Sequence, residues 1–406
     1  MTRGPGPDVP ELCRRLESQL PGMLATIEHL VGIDSGSLDV AGVNAVLEVV
    51  ETELAQTPFA AVRHPVEGHG DCLELSQDLG DGPRVVVLGH ADTVWPKGTA
   101  DEWPLSRDGD WIAGPGVGDM KAALVMASAA LRVVAAESTL GWGRISFVIT
   151  PDELRGSAAA RGLLERFAAD ADVCLTLEGV QSGGGMVVAR GAVGAVMLRL
   201  RGRTAHCTEP GGASVISELV DLLPRVELLS RPDLGNLLSI GVIRAGTARQ
   251  VVPDQAEVEI DMRGATVEIA ESLLKDLHAL ASGPRRVPGV EVELTGGVTR
   301  PAFGADRSEL LYRLAVEAAG EIGLPSRGVH ERGGSDGSFF GALGVLTLDG
   351  LGPYCEDSCS RRERVSVPSI VERGAVLAAL LLRIPEALGT VRSRQQTESG
   401  GERTHG

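Results

Sequence analysis

The spacing of apolar and polar residues predicts an α/β domain in the first part of the chain. Leucine and isoleucine at three- and four-residue spacing predict an amphipathic helix over 11–31, which Pro21 can break, and a second helix over 44–55. The continuous apolar run Val85–Leu88 is typical of a strand buried on both faces of a parallel sheet. Comparable runs predict strands over 144–150 and 173–177.

After residue 183 the pattern changes. Gly183–Gly185 looks like a hinge, and 186–201 then alternates apolar and polar residues as antiparallel strands do. A β-α-β-β-α-β order follows and predicts a small ferredoxin-like sandwich inserted into the first domain. We therefore expect a discontinuous first domain (1–183 with 298–391), an inserted second domain (184–297) and a polar, Gly/Ser-rich disordered tail (392–406).

Composition narrows the class of protein. The chain has 406 residues, 43% of them hydrophobic, which suits two domains of a globular protein. A net charge of −17 argues against nucleic acid or an anionic membrane as partner. Six scattered cysteines, no Cys-x-x-Cys pair, no apolar run of about 20 residues and a polar start together predict a cytoplasmic protein without a disulfide framework.

Chemically useful residues follow the predicted core elements. His90 and Asp92 come directly after the strand of Val85–Leu88, Glu153 and Glu178 follow the next two strands, and Asp119 precedes a helix. In an open α/β sheet these positions converge on the edge where ligands bind. Imidazole and carboxylate are zinc ligands. The alternatives are that Asp119 is a helix N-cap and that Glu153 is only a helix-start carboxylate.

Together these stretches resemble the M20 family of metallopeptidases, which includes glutamate carboxypeptidases, aminoacylases and amino-acid deacetylases. The resemblance extends over nearly the whole chain and implies a zinc-exopeptidase-like domain, whose mixed, mostly parallel sheet is sandwiched by helices, with an α+β lid that forms a homodimer. The stretches that carry it are Gly89–Val94, Gly116–Lys121, Thr150–Ser157, Gly202–His206, Val251–Asp254, Gly333–Asp336 and Asp349–Pro353.

The resemblance assigns roles within the catalytic domain. It implies that His90, Asp119 and Glu178 bind a zinc ion, and that Asp92 orients His90. Glu153 is then the general base, which takes a proton from the water that attacks an amide carbonyl.

The resemblance also assigns roles in substrate recognition. His206 corresponds to a lid residue that reaches the neighbouring subunit's site and stabilises the oxyanion. Arg300 corresponds to the arginine that binds a substrate carboxylate with its planar fork. Gln250 and Ser335 fall at further substrate-binding positions, although Gln250 stands where asparagine is usual, as does Ser338.

Two positions depart from the family's second metal site. Leu154 stands where a glutamate ligand is expected, and Cys359 where a histidine ligand is expected. We therefore expect one zinc per chain, with the second site weak or lost. Cys359 can be an inert buried thiol or a metal contact. The charge run 361–364 is interpreted as a solvated face.

Two functional hypotheses follow. The first is a zinc-dependent amidohydrolase or carboxypeptidase that cleaves a small N-acyl or peptidyl amino acid with a free carboxylate. The alternative is a repurposed scaffold, which forms or rearranges an amide or only binds its ligand.

Overall fold

In a computed structural model, which describes residues 7–137, 141–180 and 185–401, the chain forms two compact units. The first comprises Met1–Val188, Ala305–Val329 and Ser335–Gly406, and the second comprises Ala189–Gly304 and His330–Gly334. The sequence predicts an insert over 184–297. The second unit of the structure starts five residues later and ends seven residues later than this prediction, and it also includes His330–Gly334. Within the described ranges, no helix is long and apolar enough to cross a membrane.

The helices are α1 (Val9–Glu17), α2 (Leu20–Val31), α3 (Val40–Leu54), α4 (Thr99–Glu102), α5 (Ala122–Ala135), α6 (Arg161–Ala169), α7 (Val215–Glu227), α8 (Val267–Ser282), α9 (Glu309–Gly320), α10 (Gly337–Ala342) and α11 (Val367–Gly401). The strands are β1 (Ala60–His64), β2 (Cys72–Asp78), β3 (Arg84–His90), β4 (Ser106–Asp108), β5 (Trp111–Ala113), β6 (Arg144–Thr150), β7 (Val173–Thr176), β8 (Gly185–Arg190), β9 (Ala192–Arg201), β10 (Asn236–Ala245), β11 (Gln255–Gly264), β12 (Glu291–Arg300), β13 (Arg327–Glu331), β14 (Leu346–Leu348), β15 (Cys355–Glu356) and β16 (Arg364–Ser366).

The first unit is built on a mixed sheet with strand order β1-β2-β6-β3-β7-β14. Strand β3 pairs in parallel with both β6 and β7, and β14 joins β7 in parallel. Strands β1 and β2 run antiparallel at one edge. The predicted mixed, mostly parallel α/β sheet is therefore confirmed.

Helices pack on both faces of this sheet. Strand β3 has apolar side chains on both faces, and these are buried against the helices. Val85 and Val87 belong to the cluster packed with α5, while Val86 and Leu88 belong to a cluster with Leu164 of α6 and residues of α10. Burying such a side chain contributes about 1.5–3 kcal/mol. This two-sided burial fixes β3 in the middle of the sheet and delivers His90 to its carboxyl end.

The second unit has the predicted β-α-β-β-α-β order. Its sheet has the antiparallel order β10-β11-β9-β12, and apolar residues of α7 and α8 pack with its buried face. Strand β9 alternates buried and exposed residues along most of its length, as expected for a sheet covered on one side.

Two helical predictions differ from the structure. The helix predicted over 11–31 is two helices, which break at Ser18–Gln19, because Pro21 begins a helix more readily than it continues one. The last helix, α11, continues to Gly401 and so extends into 392–406, the segment expected to be a disordered tail. Extending a formed helix through Arg, Gln and Glu is much easier than nucleating one. Residues 402–406 lie outside the described part.

Candidate metal centre

His90 lies at the centre of the site. It is 2% exposed, and its Nδ1 lies 2.9 Å from the carbonyl oxygen of Asp92 and 3.2 Å from Asp92 Oδ1. Its Nε2 lies 2.9 Å from Asp119 Oδ1. Burial alone lowers the pKa of the imidazole, but the adjacent Asp119 and Asp92 carboxylates raise it well above the usual range. The pocket around Nε2 therefore favours a positive charge.

The Asp92 carboxylate organises the surrounding backbone. It is fully buried and accepts hydrogen bonds from Ser37 Oγ at 2.5 Å and from the N–H groups of Glu153 and Leu154, each at 3.1 Å. One carboxylate thus holds the imidazole of His90 and the turn that carries Glu153. Ser37 lies in a segment that the sequence shows only as a break between helices.

Asp119 lies in the tight turn Val117–Lys121. Its carboxylate lies between two side chains, with Oδ1 near His90 Nε2 and Oδ2 accepting a hydrogen bond from the Cys359 thiol at 3.1 Å. Helix α5 begins after Lys121 and has no side-chain cap. The alternative interpretation of Asp119 as an N-cap is therefore wrong.

Glu363 holds this turn in place, and here the sequence prediction is wrong. The run 361–364 was expected to be a solvated face, yet Glu363 is fully buried. Its carboxylate accepts hydrogen bonds from the N–H groups of Gly116, Gly118 and Asp119, at 3.3, 2.7 and 3.0 Å. Burial raises the pKa of Glu363 to about 7, although these hydrogen bonds act to lower it. Because exposed arginines stand on both sides of Glu363, the sequence pattern does not indicate that this residue is buried.

Glu178 completes a cluster of three potential ligands. It follows β7, which is the parallel neighbour of β3, so its side chain and His90 reach the same edge of the sheet. The ligand atoms of His90, Asp119 and Glu178 all lie within 4.8 Å of one another. One nitrogen and two carboxylate oxygens, with a position left for water, suit a catalytic zinc ion. These residues therefore fit the metal that the sequence predicts.

The second metal site does not fit a zinc ion. Leu154 offers no ligand atom, and Cys359 is exposed and its thiol donates a hydrogen bond to Asp119. Partial burial of the sulfur and the nearby Asp119 charge raise the pKa of this thiol, which disfavours the thiolate that a zinc ion requires. The interpretation of Cys359 as an inert buried thiol is therefore wrong, because the residue is exposed and contacts Asp119. Among the residues that the structure describes, only His90, Asp119 and Glu178 form a group of three possible ligands.

Glu153 and Ser335 have different surroundings. Glu153 is 5% exposed and begins the turn after β6, beside the backbone that Asp92 holds.

Ser335 is fully buried, and its hydroxyl donates a hydrogen bond to Asp349 Oδ2 at 2.5 Å. This contact argues against the predicted role of Ser335 in touching substrate, because its hydroxyl is used inside the core. Ser338 is also buried, and its hydroxyl has no partner within the described ranges.

The remaining predicted residues belong to the second unit. His206 and Gln250 are exposed on two neighbouring loops, which are joined by a hydrogen bond from Cys207 N to the Gln250 carbonyl at 2.9 Å. Arg300 is 9% exposed and ends β12, where it pairs with Val193 of β9. His206 follows the opposite end of β9, so the two predicted substrate contacts lie at opposite ends of one strand.

Comparisons with known proteins show the family of this chain. The chain is 25% identical to carboxypeptidase G2 of Pseudomonas sp. (strain RS-16), with 89% of each chain covered. It is 28% identical to succinyl-diaminopimelate desuccinylase of Bordetella petrii, with 77% of this chain and 86% of that one covered. The crystal structure of aminopeptidase PepT from Bacillus cereus has the same fold, with a TM-score of 0.74 at 23% identity, covering 90% of this chain and 98% of that one. The model of peptidase family M20/M25/M40 matches residues 86–383. The chain therefore belongs to the peptidase family M20/M25/M40.

Proposed function

We propose that this protein hydrolyses an amide bond in a small N-acyl or peptidyl amino acid that carries a free carboxylate, using one zinc ion per chain. The observation that carries the proposal is the cluster of His90, Asp119 and Glu178 at the carboxyl edge of the sheet. Family membership and relatives named as a carboxypeptidase and a desuccinylase support amide hydrolysis as the reaction class.

The proposed chemistry divides among five side chains. His90, Asp119 and Glu178 would hold the zinc ion, whose Lewis acidity would polarise a carbonyl oxygen and acidify water. Glu153 accepts the proton of the attacking water and returns it to the leaving nitrogen. Asp92 keeps His90 in one orientation, so that Nε2 stays aimed at the metal.

The proposal of a single zinc rests on chemistry at the second position. Leu154 is apolar, and the Cys359 thiol is already a hydrogen-bond donor to Asp119. The same observation favours the alternative function, a repurposed scaffold that forms or rearranges amides or only binds its ligand. Metal analysis combined with an amide-hydrolysis assay distinguishes them, because a bound zinc with no turnover of any N-acyl amino acid would favour the alternative.

A homodimer through the second unit is the third part of the proposal, and its own geometry supports it. From Val193, which pairs with Arg300, to Arg201, which precedes the His206 loop, β9 spans about 26 Å at ~3.3 Å per residue. A small N-acyl amino acid cannot contact both ends of that strand. If His206 and Arg300 act on one substrate molecule, they must come from two chains.

The surface of the second unit offers a place for such an interface. Strand β10 is the last strand of its sheet and pairs only with β11 within the described ranges. Ile243 on this strand is 49% exposed, and Val220 on α7 is 62% exposed. An open strand edge beside exposed apolar side chains is typical of a surface that another chain covers.

The test of catalysis is the variant Glu153→Gln. It should lower kcat by about 100-fold or more while zinc content stays the same, because only the proton acceptor is lost. Glu165→Gln, on the exposed face of α6, is the matched control and should leave kcat unchanged. Unchanged turnover in Glu153→Gln would remove this residue from the chemistry.

The role of His206 in the partner's site is tested by mixing two inactive variants. His206→Ala and Glu153→Gln chains, unfolded and refolded together, should form hybrid dimers in which one site has both residues. Random pairing then restores about one quarter of wild-type turnover. Absence of recovery from hybrids that form would exclude action across the dimer.

A further inference from the structure

We propose that the groove beside the metal cluster, lined by Gly36–Asp39, Thr93–Lys97, Leu154 and Arg155, binds a bulky apolar, preferably aromatic, acyl group of the substrate. This inference rests on the proposed amide hydrolysis and adds the substrate class. The groove lies wholly within the first unit and encloses about 420 Å³.

The lining exposes apolar side chains that the fold itself does not need. Leu38 is 62% exposed and Val94 is 47% exposed, and both lie in the groove with Trp95 and Leu154. A contiguous exposed apolar patch inside a concave surface is typical of a ligand site. The apolar character is strengthened at Leu154, the position where the sequence lacks a metal-ligating glutamate.

The groove lining and the catalytic residues are held by the same buried carboxylate, that of Asp92. Ser37 and Leu154, which both line the groove, donate hydrogen bonds to the Asp92 carboxylate, and Thr93 follows Asp92 in the chain. The same carboxylate contacts His90. Leu154 also directly follows Glu153 in the chain, so in this proposal the acyl group lies in the groove and its amide lies at the metal cluster.

Trp95 gives the groove an aromatic wall whose position is fixed. Its ring is half-buried and packs edge-to-face on Trp103, with centroids 5.3 Å apart and planes at 80°. The Arg361 guanidinium lies 5.4 Å from the Trp95 ring and 5.6 Å from the Trp103 ring. The chain has only four tryptophans and 3% aromatic residues, and two of the four lie beside this groove. An anchored indole is well suited to stack on a planar group.

The charge of the groove further limits which acyl groups it can bind. Lys97 lies 3.6 Å from Asp39, so these two charges offset each other. Arg155 has no carboxylate within salt-bridge distance in the described part of the chain. The groove is therefore weakly positive, which disfavours a cationic acyl group and is compatible with a neutral aromatic one.

The experiment compares the N-acetyl and N-benzoyl derivatives of the same L-amino acid. The wild-type protein should have a kcat/KM at least about tenfold higher for the N-benzoyl compound. Trp95→Ala and Leu154→Ala should each remove most of that preference while zinc content stays close to wild type, and Tm is measured to confirm that each variant is folded at the assay temperature. Leu343→Ala, which removes a 57% exposed leucine that does not line the groove, is the matched control and should keep the preference.

A binding measurement separates this proposal from the proposed hydrolysis. N-benzoyl and N-acetyl compounds are titrated into the protein while tryptophan fluorescence is followed, with Trp95→Phe identifying the responding residue. Leu38→Asp, at an exposed position that tolerates a charge, should weaken N-benzoyl binding about tenfold and N-acetyl binding much less, so that the selectivity falls. Selective N-benzoyl binding without any turnover would support the groove and reject hydrolysis. Equal affinities and equal kcat/KM for the two compounds would overturn the groove proposal and leave the hydrolase proposal intact.

Discussion

Replacing Glu363 should both destabilise the first unit and weaken zinc binding, although this residue is not a ligand. Its carboxylate is fully buried and accepts three backbone N–H groups from the turn that carries Asp119. Glu363→Ala leaves those donors without their acceptor, in a place where Gly116 and Gly118 are also buried. The turn would then lose the contact that sets the direction of the Asp119 carboxylate.

The size of the effect follows from two opposing contributions. Each buried donor left unsatisfied costs about 1–3 kcal/mol. Removing the carboxylate also removes its own desolvation cost, which is evident from its pKa of about 7. We expect a net loss of about 2–5 kcal/mol for Glu363→Ala, and a smaller loss for Glu363→Gln, which keeps one acceptor oxygen. Against an ordinary stability of about 5–15 kcal/mol this is a large change.

The assay is urea unfolding, together with a zinc competition titration. Glu363→Ala should lower the unfolding midpoint and weaken zinc affinity about 10- to 100-fold, as loss of a group that positions a ligand does. Arg362→Ala, whose side chain is 78% exposed, is the control from the same loop and should change stability by less than about 0.5 kcal/mol. An unchanged midpoint would refute the claim that the three hydrogen bonds to Glu363 stabilise the first unit. A lowered midpoint with unchanged zinc affinity would refute the link to Asp119.

Three further predictions concern other parts of the molecule. The double variant Leu154→Glu with Cys359→His should bind a second zinc, measured by metal analysis, because Asp119 already offers a second oxygen at that position; a stoichiometry still at one would show that these positions do not form a second site. His206→Ala should lower kcat by about 100-fold with zinc content and Tm unchanged, as loss of an oxyanion donor does, and normal turnover would contradict its assignment. Burial acts to raise the pKa of Glu74, but hydrogen bonds from Arg144 and His64 lower it overall. Glu74 therefore contributes stability that is present above its unfolded pKa and is lost as pH falls through its folded pKa; Tm measured against pH should show a shallower acid-side decline for Glu74→Gln, and parallel curves would contradict this.

Much of the architecture follows from local sequence patterns. The apolar run Val85–Leu88 predicts a two-sided buried strand, and the alternation in 186–201 predicts antiparallel strands with one solvated face, as β9 has. Both patterns act through nearest neighbours and burial, which is why they can be recognised without a structure. The placement of His90 and Glu178 follows from the same rule, since parallel strands bring their carboxyl ends to one edge.

Only the tertiary structure decides which polar groups meet across long separations in the chain. Glu363 lies among exposed arginines in the sequence, but the fold inserts it beneath the turn of Gly116–Asp119, and no periodicity records such a single insertion. Ser335 illustrates the converse, because a residue expected at the substrate is used by Asp349 inside the core. Cys359 reaches Asp119 for the same reason, and the contact depends on where the loop between β15 and β16 lies. The physical cause is that hydrogen bonds and burial of isolated polar groups are satisfied by whichever partners the folded chain brings within about 3 Å, whereas hydrophobic periodicity is present in the chain before it folds.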